Sequence, residues 1–422
     1  MREAKRRQRS ARRAAERTAN KRSRRAQRTL AMLTTSALSL VPGLAQRAAA
    51  QTPDNSWSLE YGYSMYSEGS IPASKVSAGS PDRYDIDTHQ FKLQAPLGSR
   101  FSLGFDVTYE KMTGASPWFI EPDLNGDPIV VMTGASIEDA RTDVLGNVTY
   151  LGDRSTTTLS GGASLEDDYT SVNVGFARTK DYNQKNSTLS WGLGFSTDTI
   201  DPTSTSFDPN PDKHSKKAGT FMLGFAQVLS RSSAIQSSLT YQYSDGYLSD
   251  PYKLVSAGGI NRADRRPGTR TQLSWLTRYR QHFDKLHGSL HADYRFYWDT
   301  WAVLSHTIEL GWYQNLFDIV TVAPRARYYS QGAADFYAPY FGAGLGAKED
   351  ASSDFRLSPY GAISYGVTAE VRLDQLVHSN WKLAVNWESY MSGGNYSLGK
   401  VRTENPALVD FNVLMVSLQA GF

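Results

Sequence analysis

Alternation of apolar and polar residues constrains this chain more than any other feature. Between Trp57 and the C-terminal Phe422, apolar residues occupy every second position in repeated runs, with Ser, Thr, Asn, Gln, Gly and charged residues between them. Successive side chains of a β-strand point to opposite faces, so each run predicts a strand with one apolar and one polar face. No stretch shows a helical period of comparable strength, and we predict an all-β protein. The clearest runs are Trp57–Met65, Phe101–Tyr109, Leu189–Phe195, Leu273–Tyr279, Leu290–Trp298 and Asn412–Phe422.

The number and spacing of these runs predict a transmembrane antiparallel up-and-down β-barrel of about 16 strands. Connections alternate between short segments, such as 96–100 and 284–287, and long ones, such as 111–137 and 331–354. Outer-membrane barrels have short periplasmic turns and long extracellular loops, and this chain fits that plan. The second strand is the weakest, because its alternation changes phase between Ile86 and His89. The strands are centred near residues 61, 90, 106, 145, 160, 174, 192, 223, 239, 276, 293, 308, 325, 362, 385 and 416.

A soluble β-sandwich or propeller would also alternate, with the apolar face buried. The apolar face of this chain, however, is rich in Trp and Tyr near strand ends, as an interfacial girdle requires. The opposite face is polar on all strands, which suits a hydrated lumen. The last strand ends in Phe422, which resembles the assembly signal of Gram-negative outer-membrane proteins. We therefore expect contact with outer-membrane lipid, lipopolysaccharide and the barrel-assembly machinery.

Residues 1–50 read as a basic leader and signal peptide that is cleaved, leaving residues 51–422 as the barrel. An Arg-rich segment is followed by the uncharged segment 29–45, which is too short to span a bilayer, and then by Ala48-Ala49-Ala50 before Gln51. A basic block could bind nucleic acid, but this order of segments favours export to the bacterial outer membrane, and no nucleic-acid partner is expected. The basic region is unusually long, which leaves the translation start open.

Charged residues on the polar face divide into two walls. If the apolar set faces lipid, the alternate set faces the lumen, and the walls lie across it from each other. Like charges on one wall raise a transverse field that orients zwitterionic or dipolar solutes. The alternative is that the walls pair through loops or within themselves and close the pore, as Asp293 could with Arg295, with Glu309 opposite them. The basic wall is Arg278, Arg280, Arg295, Arg325 and Arg327, and the acidic wall is Glu60, Asp106, Glu110, Asp143 and Glu166, with Asp85, Asp87 and Asp139 beside them.

Evidence for catalysis or metal binding is weak. The chain has no Cys, no G-x-S-x-G elbow and no phosphate loop or nucleotide fingerprint, so we expect no cofactor and no enzyme. His287 and His291 have a metal spacing that holds only on a helix, and in a strand they lie about 13 Å apart. His306 could lie near the acids 166–168 at the rim, but nothing ties them together. The segment Asp123–Asp127 partly resembles a calcium loop, and a tight turn at Asn-Gly is the favoured interpretation.

Three aromatic residues in the long loops, Trp118, Tyr252 and Tyr337, lie in segments too apolar for free loops. We expect these segments to fold back onto the barrel mouth or to bind something there.

Several long segments resemble a family of Gram-negative outer-membrane barrels catalogued only as a domain of unknown function. The resemblance covers the whole mature chain and implies a secreted outer-membrane β-barrel, with no assigned activity, catalytic residue or substrate to transfer. The Arg-rich leader departs from the family pattern. The matching segments are HQFKLQAPLGSRFSLGFDVTYEKMTGASPWF (89–119), MTGASIEDARTDV (132–144), DGYLSDPYK (245–253), LHADYRFY (290–297), RYYSQGAADFYAPYF (327–341), RLSPYGAISYG (356–366) and ENPALVDF (404–411).

Two functions remain open. The polar inner face favours a channel or pore for small polar solutes. The aromatic loops favour a non-conducting structural or docking component of an envelope complex. The family resemblance implies that relatives are encoded beside small periplasmic thiol-redox and flavin-transfer proteins. If the same holds here, the envelope complex would have a role in redox chemistry or export.

Overall fold

A computed structural model describes residues 57–134, 137–317, 319–346, 349–373 and 380–422. Within these ranges, 16 strands pair in sequence order as one closed antiparallel barrel. The predicted leader and signal peptide, residues 1–50, lie outside the described residues. With strands numbered along the chain, the barrel consists of β1 (Ser58–Glu68), β3 (Asp85–Leu97), β4 (Phe101–Gly114), β7 (Ile137–Gly152), β8 (Ser155–Leu165), β9 (Tyr169–Tyr182), β10 (Ser187–Ile200), β11 (His214–Val228), β12 (Ser233–Gly246), β15 (Thr269–Phe283), β16 (Gly288–Asp299), β17 (Leu304–Leu316), β18 (Val320–Gln331), β19 (Tyr360–Arg372), β20 (Asn380–Gly393) and β21 (Phe411–Gly421).

Five short strands lie in the connections. They form a three-stranded sheet and a hairpin. The short helices described are single 3₁₀ turns, and none of the described helices is long and apolar enough to cross a membrane. The short strands are β2 (Val76–Ala78), β5 (Pro117–Pro122), β6 (Pro128–Met132), β13 (Leu254–Ala257) and β14 (Ile260–Ala263), and the turns are Ala73–Lys75, Asn183–Lys185, Asp284–Leu286, Phe355–Leu357 and Gly394–Tyr396.

Ring closure joins the first and last strands. Tyr61 lies opposite Leu418 on β21 and opposite Phe91 on β3, and the amide of Phe422 donates to the carbonyl of Trp57 at 2.8 Å. Closure leaves no unpaired strand edge, which is what a sheet in lipid requires. The predicted number of strands is confirmed, and each predicted strand centre falls within one barrel strand.

The apolar set lies on the outside of the barrel. Phe105, Leu310 and Trp275 are 49%, 51% and 48% exposed, and the same holds for most members of the predicted runs. A soluble sandwich would bury these side chains. Because they form an exposed apolar band, the alternative of a soluble sandwich or propeller is excluded.

Connections differ in length at the two ends of the barrel. One end has short turns, including 98–100, 153–154, 229–232 and 284–287. The other end has the long connections 69–84, 115–136, 201–213, 247–268, 332–359 and 394–410, with two short exceptions at 166–168 and 300–303.

The long loops pack together rather than extending separately into solvent. We call the described residues of 69–84, 115–134, 247–268, 332–359 and 394–410 the cap. One buried cluster joins Ile71, Ala115, Val130, Met132 and Ala407 from three different loops. Each of these is at most 4% exposed, so the cap has an apolar core of its own above the barrel.

Candidate functional site

The predicted charged walls lie on opposite sides of the lumen. In the ring of 16 strands, β4 and β16 are eight strands apart. Asp106 on β4 lies between the outward Phe105 and Val107, and Arg295 on β16 lies between the outward Tyr294 and Phe296, so both point inward. Strand order and alternation therefore place the acidic and basic walls across the lumen from each other.

Two acids expected in the lumen face outward instead. Asp85 and Asp87 belong to the same face of β3 as His89 and Phe91, and the Tyr63 hydroxyl donates to Asp87 Oδ1 at 2.6 Å on the outer surface. The alternation of β3 runs without a change of phase. These two acids lie at the long-loop end of the strand, where polar groups can face outward without entering the apolar band.

Most of the basic wall is paired with carboxylates from the same wall. Arg278 and Arg280 both contact Asp293, with Arg278 Nε 3.5 Å from Oδ2. On the next two strands, Arg327 Nη2 lies 2.5 Å from Glu309 Oε2.

Further around the same wall, Arg325 pairs with Glu388. Arg295 is exposed to the lumen and makes no ion pair among the described residues, so the expected Asp293–Arg295 pair does not form. Five arginines therefore face three carboxylates on this wall.

The acidic wall is also partly neutralised. Arg141 Nη2 lies 2.8 Å from Glu110 Oε2. Lys92 lies directly between Glu60 and Asp106 in the register of β1, β3 and β4. Glu60, Asp106, Glu110 and Asp143 thus face two cations. Among the residues counted here, each wall keeps an excess of two charges, so the field across the lumen has the predicted direction but is weaker than five charges against five would give.

Glu166 lies just beyond the end of β8, in the turn 166–168. Its Oε2 atom is buried and has no hydrogen-bond partner among the described residues. Burial raises the pKa of Glu166 to about 8, and the nearby carboxylates of Asp139 and Asp168 act in the same direction against Arg141. Glu166 therefore differs from the rest of its wall, because it holds a proton near neutral pH.

The three mouth aromatics are structural parts of the cap. The Tyr252 hydroxyl donates to Asp168 Oδ2 and accepts from the amide of Thr203 at 2.9 Å. Tyr337 accepts from Asn405 Nδ2 at 3.0 Å. Trp118 packs edge-on against Phe119, with ring centroids 5.7 Å apart. The expectation that these segments fold back onto the mouth agrees with these contacts.

An ionic cluster inside the cap was missed from the sequence. Asp354 contacts Arg356 and lies 2.9 Å from Arg266 Nη2, while Arg356 Nη2 lies 3.0 Å from Asp250 Oδ2. Asp264 binds Arg266 at 2.7 Å. These side chains come from two loops, and together with Lys253 they form a cluster of three cations and three carboxylates.

Burial alone would raise the pKa of Asp354, but the three surrounding cations hold that pKa well below its usual value. Burial lowers the pKa of Lys253, against the opposing effect of Asp354 and Asp250. The only signal in the sequence was the presence of charges within otherwise aromatic loops, such as Asp250-Pro251-Tyr252-Lys253.

The cap crosses the lumen. Three of its loops, 115–134, 247–268 and 332–359, leave the ring six, four and six strands apart. They nevertheless contact one another pairwise: Lys253 Nζ to the Pro117 carbonyl at 3.0 Å, Arg266 to Asp354 at 2.9 Å, and the Tyr340 hydroxyl to the Gly126 carbonyl at 2.6 Å. Loops so widely spaced can all meet only over the barrel axis.

Candidate catalytic and metal-binding residues do not come together. His306 faces outward and shares a hydrogen bond of 2.8 Å with the Tyr294 hydroxyl, far around the ring from Glu166. His291 packs against Tyr313, with ring centroids 4.0 Å apart and the ring planes tilted by 30°. Among the described residues no group of three or more His, Asp or Glu side chains could hold a metal ion. Asp123 accepts hydrogen bonds from the amides of Asn125 and Asp127, both at 2.8 Å, and so closes a tight turn.

Solved structures similar to this chain are outer-membrane proteins. A bacterial polysaccharide outer membrane secretin has a TM-score of 0.47 and 9% identity, over 87% of this chain and 99% of that one. OccK2 (OpdF) of Pseudomonas aeruginosa, in complex with glucuronate, has a TM-score of 0.42 and 11% identity, over 87% and 98%. OprD of the same organism has a TM-score of 0.40 and 7% identity, over 89% and 97%. No curated protein matches the chain. A family model described as "Protein of unknown function (DUF3570)" matches residues 30–405.

Proposed function

This chain belongs to the DUF3570 family of unknown function, and from that premise we propose that it is a channel for small polar solutes in the bacterial outer membrane. The observation that supports the proposal is the arrangement of the lumen charges. Asp106 and Arg295 lie on strands eight apart in the ring, and each belongs to a wall with an excess of its own sign. A solute with separated charges would be oriented between these walls.

The cap narrows the extracellular mouth in this proposal, and solutes reach the lumen around or through its loops. Export through the predicted signal peptide and insertion by the barrel-assembly machinery, aided by the 70% exposed Phe422, belong to the same proposal. Lipid and lipopolysaccharide are then the partners of the outer surface.

Conductance in planar lipid bilayers tests the channel. The wild-type protein should give discrete current steps. The double variant Arg278→Ala plus Arg325→Ala should shift the reversal potential towards cation selectivity, because it removes the excess of two positive charges from the basic wall and leaves the acidic wall unchanged. The matched control is Arg178→Ala, whose side chain belongs to the outward face of β9 in register with Trp191. No current from correctly folded protein, or no difference between the double variant and the control, would reject the channel.

A second candidate is a non-conducting docking component of an envelope complex. The observation that favours it is the cap, which joins three widely spaced loops over the lumen. This function predicts no conductance from the wild-type protein and co-purification of a specific envelope protein with the barrel. Recovery of the barrel alone, with measurable current steps, would favour the channel instead.

A further inference from the structure

One row of inward side chains contains two aspartates with different surroundings, Asp198, which is buried, and Asp143, which is partly buried. Asp143, Ser164, Ser171 and Asp198 lie directly opposite one another on the four neighbouring strands β7, β8, β9 and β10, and Lys216 follows on β11. The row lies below the cap on the acidic side of the lumen, and its two carboxylates stand three strands apart.

The Asp198 end of this row is fully satisfied. Asp198 is 2% exposed, and its two oxygens accept hydrogen bonds of 2.7 Å from the hydroxyls of Ser171 and Tyr169. The ammonium of Lys216 lies 2.8 Å from Asp198 Oδ2. The chain therefore stabilises a buried carboxylate here with one primary ammonium and two hydroxyl donors.

The Asp143 end has acceptors, and the cation beside it, Arg141 two residues along the same strand, is paired with Glu110 at 2.8 Å. Ser164 is 2% exposed, and its Oγ atom has no hydrogen-bond partner among the described residues. The atoms Glu166 Oε2 and Asn173 Oδ1 are also buried without a hydrogen-bond partner among the described residues, although the two side chains are only partly buried and lie on the inward face next to Ser164. Asp143 makes no ion pair within the described chain. Because unsatisfied buried acceptors are costly, three of them beside a carboxylate mark a place for a ligand rich in donors.

We propose that the recess formed by Asp143, Ser164, Glu166 and Asn173 binds the primary ammonium group of a small amine solute. The proposal deepens the channel function and rests on it, since the solute would reach the recess through the lumen. In the same row, the ammonium group of Lys216 already pairs with the buried carboxylate of Asp198, so a primary ammonium is a suitable partner for a carboxylate in this position. An ammonium carries one positive charge and three donors, which matches the carboxylates and the three unsatisfied oxygens. A bare metal ion fits less well, because the described residues form no metal-holding group.

Protonation of Glu166 connects this site to pH. Its pKa is raised to about 8 by burial and by the carboxylates of Asp139, Asp168 and Glu110, against the lowering effect of Arg141. A cation placed beside Glu166 stabilises the ionised form, so binding of the ammonium at pH 7 releases a proton. Release of a proton on amine binding can be measured. It would not occur if Glu166 only supported the local structure.

Titration calorimetry on the full-length mature barrel in detergent tests the proposal, with propylamine as the probe. The wild-type protein should bind propylamine with a heat that changes with the ionisation enthalpy of the buffer. Tetramethylammonium, which has the charge but no N–H donors, should bind at least about tenfold more weakly. Glu166→Gln should weaken propylamine binding by about tenfold and abolish the buffer dependence. Asp153→Asn, the same change in an exposed turn, should leave both unchanged.

Heat-modifiable migration shows whether each variant is folded, and Asp143→Asn reports the same loss of affinity if Glu166→Gln does not fold. The proposed ammonium site would be rejected if the wild-type protein did not bind propylamine or bound tetramethylammonium equally well. It would also be rejected if both variants bound propylamine with unchanged affinity. A barrel that conducts in bilayers but binds no amine would overturn the recess and leave the channel intact. A barrel that binds propylamine with this specificity supports the recess even if no current is measured, and the missing current then counts against the channel alone.

Discussion

Lys253 donates to the carbonyl oxygen of Pro117 at 3.0 Å, although the loops that carry the two residues leave the barrel six strands apart. This hydrogen bond spans the lumen. It places a cationic side chain with a lowered pKa beside the buried cluster of Asp250, Arg266, Asp354 and Arg356. The cap is therefore one packed unit held by contacts between loops, and its integrity should control both stability and access to the lumen.

Breaking the ionic cluster should loosen the cap. Arg356→Met leaves Asp250 and Asp354 buried with fewer partners, so we expect a loss of about 3 kcal/mol or more in the free energy of unfolding. The single-channel current should increase, because the loops no longer meet tightly over the axis. Arg265→Met is the control: its ion pair with Asp350 at 3.3 Å is solvent-exposed and should be worth less than about 1 kcal/mol. Equal effects of the two changes on unfolding would contradict this account of the cap.

Removing a carboxylate from the basic wall should increase preference for anions. Glu388→Gln frees Arg325 and removes the 4.0 Å contact with Arg327. The reversal potential under a salt gradient should then move towards that of an anion-selective pore. Asp87→Asn should leave it unchanged, since that carboxylate faces outward. A shift from Asp87→Asn as large as that from Glu388→Gln would mean that the faces of these strands are assigned wrongly.

Stability should fall as the pH rises from about 4.5 to about 8, because of the raised pKa of Glu166. The folded-state pKa of Glu166, about 8, lies above its ordinary value of 4.5, so the folded state binds the proton more tightly. This contribution is fully present below about pH 4.5 and is lost as the pH rises through about 8, with a total on the order of a few kcal/mol. Glu166→Gln should flatten the dependence of thermal unfolding on pH over that window. An unchanged slope in the variant would show that another group is responsible.

The Tyr252 hydroxyl should contribute more to stability than the hydroxyl of Tyr340, whose hydrogen bond in the cap is solvent-exposed. Tyr252→Phe removes the bonds to Asp168 and to the amide of Thr203, which should cost roughly 1–3 kcal/mol. Tyr340→Phe removes one exposed bond to the Gly126 carbonyl and should cost less than about 1 kcal/mol. Urea unfolding followed by Trp fluorescence measures both, and a larger effect at Tyr340 would contradict the structural role assigned to Tyr252.

Much of the barrel could be predicted from the sequence, because lipid outside and polar groups inside impose a two-residue period along the strands. That period located the 16 strands and placed Arg295 and Asp106 on the inner face. Pairing within the walls was harder to predict. Asp293 and Arg295 are two residues apart on one strand, about 6.6 Å at 3.3 Å per residue, whereas cross-strand neighbours such as Arg278 and Asp293 lie about 5 Å apart. Side chains therefore pair between strands, which sequence spacing does not show.

The cap could not be predicted, because irregular loops have no period. Its ionic cluster joins residues far apart in the chain: Asp250 and Arg356 are separated by 106 positions. The recess beside Ser164 was hidden for a related reason, since its acceptors belong to three strands and their lack of donors is visible only in three dimensions.

The central claim is that water lies inside the ring and lipid outside it, and the absence of native Cys allows a direct test. Single variants Arg295→Cys and Phe296→Cys place thiols on opposite faces of β16, one residue apart. In intact proteoliposomes, a charged, membrane-impermeant thiol reagent should modify Arg295→Cys quickly and Phe296→Cys hardly at all, while a lipid-soluble maleimide should modify Phe296→Cys. Rapid modification of Phe296→Cys by the charged reagent, with Arg295→Cys protected, would contradict the account.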